Sequence, residues 1–216
     1  MSIKQFFLKF QNIFFYKILE NALSNYDSVL DVGCGYSSPI GAINKTFKSE
    51  GIDIYKKTIV ESKKKKNHDK YTMGDIRNLS KLYRKESFDA CVSIDVIEHF
   101  KKKDAFKLIR DMENIARKKV IILTPNGFLE QHDYDGNPHQ EHKSGWSKSD
   151  LEKLGYSVYG LRGLKYLRDD HAGIKFKPWI FWGFFVFISE ILFYPFPSLS
   201  FDLYAVKDLT KKKIGK

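Results

Sequence analysis

The chain has 216 residues, of which 43% are hydrophobic, and it contains two cysteines. This length allows one domain with a substantial core, and no repeat or linker divides it, so we predict a single domain over residues 1–216. Cys34 and Cys91 both fall in predicted core segments. This argues against a disulfide framework and favours a reducing, cytoplasmic compartment.

The formal net charge of +11 would suit a nucleic acid or an anionic membrane as a partner. Much of the excess positive charge lies in three lysine runs, at 63–66, 101–103 and 211–213. Runs of this kind are more often solvated helix faces or tails than binding sites. The charge alone therefore does not predict a nucleic-acid partner.

Residues 3–24 place apolar side chains at helical spacing, with lysines between them. This pattern predicts one or two amphipathic helices in an N-terminal segment, 1–26. Packing on the core is the favoured interpretation of these helices, and a membrane-surface helix is the alternative. The segment lacks a signal-peptide pattern, because Lys4, Lys9 and Lys17 interrupt its apolar residues.

Residues 29–40 read Val-Leu-Asp-Val-Gly-Cys-Gly-Tyr-Ser-Ser-Pro-Ile. They predict a short buried strand and a tight glycine turn. A helix should follow, capped by Ser38, beginning at Pro39 and running to about Phe47. Strand, turn and helix N-terminus together form a cradle for a nucleotide-like ligand. The G-x-G-x-x-G pattern of a dinucleotide site is incomplete, because Ser38 stands where its third glycine would be.

The stretch from Asp31 to Gly35 resembles motif I, D/E-x-G-x-G, of the class I S-adenosylmethionine-dependent methyltransferases. The resemblance implies that Asp31, Gly33, Cys34 and Gly35 hold the methionine end of S-adenosylmethionine, which becomes S-adenosylhomocysteine (SAH). The family often has a third small residue, usually glycine, where this chain has Ser37.

Two further carboxylates follow at the ends of predicted strands. Asp53 lies in a strand predicted at 51–55, where a carboxylate can accept hydrogen bonds from both ribose hydroxyls of an adenosine cofactor, and Ile54 adjoins it. A third predicted strand ends in Gly-Asp. The resemblance implies that Asp75 bonds the adenine amino group and that Ile76 packs on the ring.

Residues 87–94 predict a fourth strand that leads into Asp95-Val96-Ile97-Glu98-His99. This region is similar to the S-F-D-x-x-x-S-x-x-x-x-E-H stretch of methyltransferases that act on small molecules and lipids. The resemblance implies that these residues line the junction between cofactor and acceptor, with Asp95 on the cofactor side and Glu98 on the substrate side. Methyltransferases of base amino groups carry Asp/Asn-Pro-Pro-Tyr/Phe here, so that activity is disfavoured.

Three more elements complete the predicted core. The apolar stripe at 105–116 predicts a core helix, and a β-branched strand is predicted at 119–123. That strand ends in Thr-Pro-Asn-Gly, which is common in this methyltransferase subgroup. A short capped helix is predicted at 147–154.

The loop at 128–146 leaves the carboxyl end of the fifth predicted strand, where loops line the ligand crevice of open α/β sheets. Its residues are therefore suited to bind a polar acceptor and take its proton. We predict His132 and Trp146 as substrate contacts and His142 and His99 as bases, with a structural role as the alternative for each of these two histidines. The loop spacing matches no zinc or iron motif, so no metal site is predicted. The ionisable residues of the loop include His132, Asp133, Asp135, His139, Glu141 and His142.

Strands predicted at 156–159 and 201–206 are separated by a hydrophobic insertion, 165–199. Its apolar run at 178–194 is shorter than the roughly 20 residues of a membrane-spanning helix. Three interpretations stay open: packing on the sheet or on a second copy in a homodimer, a lid over the acceptor, and a membrane-surface contact through 178–199.

Together these motifs predict a Rossmann-like, doubly wound α/β domain with N-terminal helices and a hydrophobic insertion before the last strand. The resemblance implies seven strands, the last of them antiparallel. The predicted activity is methyl transfer from S-adenosylmethionine to a small-molecule, glycan or lipid-linked acceptor, with oxygen as the favoured atom. An NAD-dependent oxidoreductase and an RNA-directed or non-catalytic methyltransferase-like module are the alternatives. We expect a cytoplasmic protein, with membrane association left open.

Overall fold

The structure, a computed structural model, describes residues 3–132, 136–169 and 173–210. The predictions that involve Asp133, Asp135 and the lysine run at 211–213 lie outside these residues. Within them, the chain forms a twisted sheet with helices on both faces.

The sheet has seven strands in the described residues, and their order is β3-β2-β1-β4-β5-β7-β6. Strands β1 to β5 pair in parallel, whereas β7 runs antiparallel to both of its neighbours, β5 and β6. This confirms the predicted Rossmann-like sheet with an antiparallel last strand. The strands are β1 Ser28–Val32, β2 Lys48–Asp53, β3 Lys70–Met73, β4 Phe88–Ile94, β5 Ala116–Pro125, β6 Ser157–Leu164 and β7 Ser200–Asp208.

The helices predicted in the N-terminal segment, at 105–116 and at 147–154 are present among the described residues. The N-terminal segment forms one helix, and the short helix after the loop has a complete capping box between Ser147 and Asp150. The apolar stripe predicted at 105–116 is buried from Ala105 to Ile115. The helices are α1 Ile3–Leu23, α2 Lys56–Lys64, α3 Leu79–Leu82, α4 Lys102–Ile115, α5 Lys148–Lys153 and α6 Trp179–Phe193.

Alternate residues of the central strands supply the two halves of the core. Leu30 and Val32 pack in the same cluster as Met112 of α4, while Val29 packs in the same cluster as Leu19 of α1. Successive side chains of a strand point to opposite faces of the sheet, so a strand covered on both faces is apolar throughout. This burial fixes β1 in the interior of the sheet, next to the central strand β4, and aligns the carboxyl ends of its neighbours.

The predicted helix from Pro39 to about Phe47 is wrong. The chain makes a single 3₁₀ turn, Pro39–Gly41, in which the Ser38 side chain accepts a hydrogen bond from the Ile40 amide at 3.1 Å, so the predicted cap is present. The backbone at Gly41 passes against Asn67, and a β-carbon there would lie 2.3 Å from the Asn67 amide oxygen. This close approach and the low helix propensity of Gly41, Asn44 and Thr46 end the turn.

The insertion between β6 and β7 contains α6, which packs against β6 and α1. Glu190, the charge that interrupts the apolar run, points inward and binds Arg168 at 2.9 Å. The opposite side of α6 is solvent-exposed and apolar. None of the helices in the described residues is long and apolar enough to cross a membrane. The exposed residues of α6 are Trp179, Ile180, Phe181, Phe184, Phe185, Ile191 and Leu192.

Candidate active site

A cavity of about 820 Å³ opens at the carboxyl ends of β1, β2, β3 and β4. This is the edge where open α/β sheets bind ligands, and the volume lies within the roughly 300–1,000 Å³ of small-molecule sites. Phe15 and Tyr16 of α1 contribute to its wall, as do Asn137 and His139 of the loop after β5. The cavity is therefore built by segments from the whole length of the chain.

The glycine turn after β1 forms the floor of the cavity. The amides of Gly33 and Cys34 donate to the Ile52 carbonyl at 2.8 and 3.0 Å, which ties the turn to β2. Gly33 has φ +76°, and a β-carbon there would lie 2.6 Å from a methyl group of Val96. Gly35 has φ +54° with no atom within 4 Å of an added β-carbon, so its backbone adjoins open space. Such a turn lets a ligand approach the main chain closely.

Asp31 is almost fully buried beneath this turn. Its Oδ2 accepts a hydrogen bond from the Ser38 hydroxyl and lies 3.2 Å from Nε2 of His68, which is fully buried. Gly51 leaves room for this histidine, because a β-carbon there would lie 2.5 Å from the His68 ring. Burial and then the negative charge of Asp31 raise the pKa of the Cys34 thiol, so Cys34 fills space in the turn as an uncharged thiol. Asp31 thus supports the turn from below.

Asp53 ends β2, as predicted, and connects two backbone segments of the site. Its Oδ2 accepts from the Gly35 amide at 3.0 Å, and its Oδ1 accepts from the Tyr55 amide at 2.8 Å. Each carboxylate oxygen has a second lone pair, so the ribose hydroxyls of a nucleoside can still be accepted. Ile54 lines the cavity beside it.

Asp75 and Ile76 line the cavity at the end of β3. Both Asp75 oxygens are held by Arg77, whose Nε and Nη2 lie 2.9 and 2.7 Å from Oδ2. The Arg77 hydrogen bonds lower the pKa of Asp75 against the opposing effect of burial. This carboxylate is therefore an ionised acceptor in a fixed orientation.

At the other end of the cavity, Asp95 faces Arg162 of β6. Nη2 of Arg162 lies 3.2 Å from Oδ2 of Asp95, and Nη1 lies 2.8 Å from Oδ2 of Asp202. Burial raises the pKa of Asp202 to about 7, although the charge of Arg162 opposes this. Among the described residues, Oδ1 of Asp95 has no hydrogen-bond partner. An unpaired carboxylate oxygen beside a cavity suits a ligand that carries a donor or a positive charge.

Glu98, His99 and His142 form a cluster behind Asp95. Oε2 of Glu98 accepts from the Thr124 hydroxyl at 2.9 Å, and burial, followed by the charge of Asp95, raises the pKa of Glu98. The two imidazole rings lie 4.8 Å apart between centroids. Burial, followed by the charge of His142, lowers the pKa of His99 to about 4, so this ring is neutral at pH 7.

Most of the predicted site residues meet at the cavity, but four of the five predicted for the acceptor side do not line it. Glu98 and His142 lie behind its wall. His132 is exposed beside Glu130, with 3.8 Å between Nε2 and Oε1, and Trp146 is buried in the core under the Lys102 ammonium group. The predicted residues that line the cavity are Asp31, Gly33, Cys34, Gly35, Asp53, Ile54, Asp75, Ile76, Asp95 and His99.

Several residues of this site were not predicted from the sequence. Tyr16, Arg162 and Lys143 line the cavity, and His68 supports it. None of them belongs to a motif, and each reaches the site through a tertiary contact. His139 lines the cavity as well, and its place in the polar loop was the signal that could have identified it.

Comparisons with known proteins agree with this geometry. Residues 30–124 match the family model described as "Methyltransferase domain". No curated protein matches the chain. The match covers the strands and turns that hold the predicted cofactor residues.

Solved structures resemble nearly the whole chain at low sequence identity. The methyltransferase domain of bacterial CtHen1-CN is 19% identical over 92% of this chain and 98% of that one, with a TM-score of 0.55. The PH0226 protein of Pyrococcus horikoshii OT3 is 14% identical over 93% and 90%, with a TM-score of 0.57. The magnesium protoporphyrin IX methyltransferase of Synechocystis PCC 6803 with bound SAH is 15% identical over 96% and 88%, with a TM-score of 0.55.

At these sequence identities, the similarity to solved structures shows only that the folds are alike. The family match is the finding that points to methyl transfer, because it covers the glycine turn and the strands around it. The residues present fit the cofactor, since among the described residues Gly35 adjoins open space and Asp95 has an unpaired oxygen at the same cavity. The family match over residues 30–124 and the geometry of the cavity together support an S-adenosylmethionine-dependent methyltransferase.

Proposed function

We propose that this methyltransferase methylates an oxygen atom of a polar small-molecule, glycan or lipid-linked acceptor, with residues 1–216 acting as one domain. The observation that carries the proposal is the chemistry of the cavity beyond Asp95. Charged and polar side chains line it there, and Oδ1 of Asp95 has no hydrogen-bond partner among the described residues, so an apolar acceptor would leave this oxygen uncompensated at a cost of about 1–3 kcal/mol. These side chains are Asp95, His99, Gln140, Lys143 and Arg162.

S-adenosylmethionine supplies an activated methyl group on a positively charged sulfur. We assign its ribose to Asp53, its adenine to Asp75 and Ile76, and its methionine end to the turn around Gly33 and Gly35. The alignment of acceptor and methyl group can provide much of the rate acceleration.

His99 is the histidine that meets the acceptor, because it lines the cavity while His142 stands behind it. Its imidazole is neutral at pH 7, since its pKa lies near 4. A base with so low a pKa removes a hydroxyl proton poorly. An aligned hydroxyl therefore needs further activation at this position.

The exposed side of α6 is the second surface that we assign to a partner. Phe181, Phe184 and Leu192 are each more than half exposed, and Lys175 and Lys177 lie just before the helix. Large exposed apolar patches often mark contacts with a membrane or a protein. Flotation with anionic vesicles and sedimentation of the free protein separate a membrane surface from a second copy of the chain.

The first experiment is a calorimetric titration of the protein with SAH, with NAD in a parallel titration. Saturable SAH binding without NAD binding is the expected result, and the reverse would overturn the proposal. A screen of hydroxyl-bearing glycans, lipids and small molecules then identifies the acceptor, with methyl transfer from labelled S-adenosylmethionine as the readout.

A further inference from the structure

Two buried side chains and one partly buried side chain beside the cofactor cavity have the composition of a metal site. Glu98, His99 and His142 each offer one ligand atom, and these atoms all lie within 4.8 Å of one another. The cluster brings together two parts of the chain, because Glu98 and His99 follow β4 while His142 lies in the loop after β5. From this geometry we infer that the three residues bind a divalent transition-metal cation that activates the acceptor hydroxyl.

The state of Glu98 is an independent observation that supports a ligand. Its side chain is 2% exposed, and Thr124 binds its Oε2, while its Oε1 has no hydrogen-bond partner among the described residues. A buried carboxylate oxygen without a partner costs several kcal/mol unless a cation or a proton compensates it. A bound cation satisfies this oxygen.

The imidazole of His142 is oriented as in known metal sites. Its Nδ1 lies 2.7 Å from the Leu129 carbonyl, to which it donates, so Nε2 keeps its lone pair for a ligand. Nδ1 of His99 lies 3.2 Å from the Glu141 carbonyl, which orients the second ring in the same manner. Tetrahedral coordination needs ligand atoms about 3.4 Å apart, so binding requires shifts of about 1 Å.

The ligand set of two imidazoles and one carboxylate determines which metal ions can bind. Mg²⁺ and Ca²⁺ prefer oxygen ligands, whereas Zn²⁺, Mn²⁺, Fe²⁺ and Co²⁺ accept this set of nitrogen and oxygen ligands. Three protein ligands leave at least one coordination position open. Because His99 lines the cavity, the open position can face the acceptor.

The inference rests on the proposed function and explains how the acceptor hydroxyl is activated. Coordination of the hydroxyl lowers its pKa, so its proton is lost to water at neutral pH. The acceptor oxygen then forms a bond to the methyl carbon as the carbon–sulfur bond breaks, and the electron pair of that bond stays on sulfur. The histidines thus bind the cation, and they do not accept the proton directly.

The test is a calorimetric titration of the tag-free, EDTA-treated full-length protein with Zn²⁺. We expect one equivalent to bind, and Glu98→Gln or His142→Ala to weaken binding by about 100-fold or more. His132→Ala is the matched control, since this exposed histidine of the same loop lies outside the cluster. It should leave the affinity unchanged.

A spectrum of Co²⁺ bound to the unmodified protein provides a readout that needs no variant, because coordination by nitrogen produces visible absorption bands. SAH titrations in EDTA report the cofactor site separately and show whether each variant folds. If SAH binds while Zn²⁺ and Co²⁺ show no saturable binding below about 1 mM, the metal inference fails and the methyltransferase proposal stands. Zn²⁺ binding that Glu98→Gln and His142→Ala leave intact also overturns it.

Discussion

Nη2 of Arg162 lies 3.2 Å from Oδ2 of Asp95, and both residues hold a left-handed backbone, with φ of +58° and +53°. This conformation is unfavourable for residues other than glycine, and a cost of about 1–3 kcal/mol at each position must be offset by the surrounding structure. Paired strained residues are typical of functional sites. Here the pair joins the end of β4 to the outermost strand, β6, across the cofactor cavity.

Replacement of Arg162 by methionine should lower the free energy of unfolding by about 3–5 kcal/mol, because it leaves the fully buried Asp202 without its counter-charge. Methionine has the same backbone preferences, so the variant isolates the charge. Urea unfolding measures the effect. Arg84→Met, at an exposed position, should change stability by less than about 0.5 kcal/mol. Addition of Asp202→Asn to Arg162→Met should restore most of the loss, and an absence of any restoration would refute the pairing.

Gly33→Ala should destabilise the protein more than Gly35→Ala. Both positions have positive φ, with the same backbone cost of about 1–2 kcal/mol, but only the Gly33 β-carbon would approach Val96, at 2.6 Å. Thermal unfolding of both variants measures the difference. Val96→Ala should cost less in the Gly33→Ala background than in the unmodified protein, and a strictly additive double variant would contradict the steric explanation.

The cofactor side of the site could be predicted because its determinants are local in sequence. Asp31, Asp53 and Asp75 each lie in or directly after a predicted parallel strand, and parallel strands bring their carboxyl ends to one edge. The observed strand boundaries differ from the predicted ones by a few residues, yet Asp53 still ends β2. Strand periodicity and the resemblance to methyltransferase motifs together located this half of the site without any tertiary information.

The acceptor side could not be predicted from sequence, because long-range pairing builds it. Arg162 reaches Asp95 only through the antiparallel register that sets Leu161 opposite Asp202. Trp146 follows a polar loop but turns into the core, where the apolar area of its ring is buried. The absence of the predicted helix after Pro39 also has a long-range cause, because Gly41 contacts Asn67, which lies 26 positions later in the sequence.

Asp53→Ala should weaken SAH binding by about 10–100-fold, because it removes a charged acceptor for the ribose hydroxyls and one contact that holds the Gly35 amide. Calorimetric titration measures this affinity. The matched control is Asp69→Ala, which removes a carboxylate that accepts from the Ser49 amide at 2.7 Å, near the opposite end of β2. Equal losses of SAH affinity in both variants would show that Asp53 acts only through stability.

The acid sensitivity of the fold should depend on Asp89. Burial would raise its pKa, but a hydrogen bond from the Asp27 amide at 3.0 Å and ion pairs with Arg117 and Lys118 at 3.1 Å lower it to about 2. A carboxyl whose pKa is lowered by folding contributes stability above its unfolded pKa of about 3.9. That contribution disappears as the pH falls through the folded value.

Asp89→Asn should therefore be less stable than the unmodified protein by about 1–2 kcal/mol at pH 7, and the difference should shrink as the pH falls from about 5 to about 2. Urea unfolding across this range measures it. SAH affinity at pH 7 should stay the same, because Asp89 lies at the amino end of β4, opposite the cavity. A stability difference that does not vary with pH would mean that the carboxylate acts through its shape and hydrogen bonds, since a contribution from its charge must vanish on protonation.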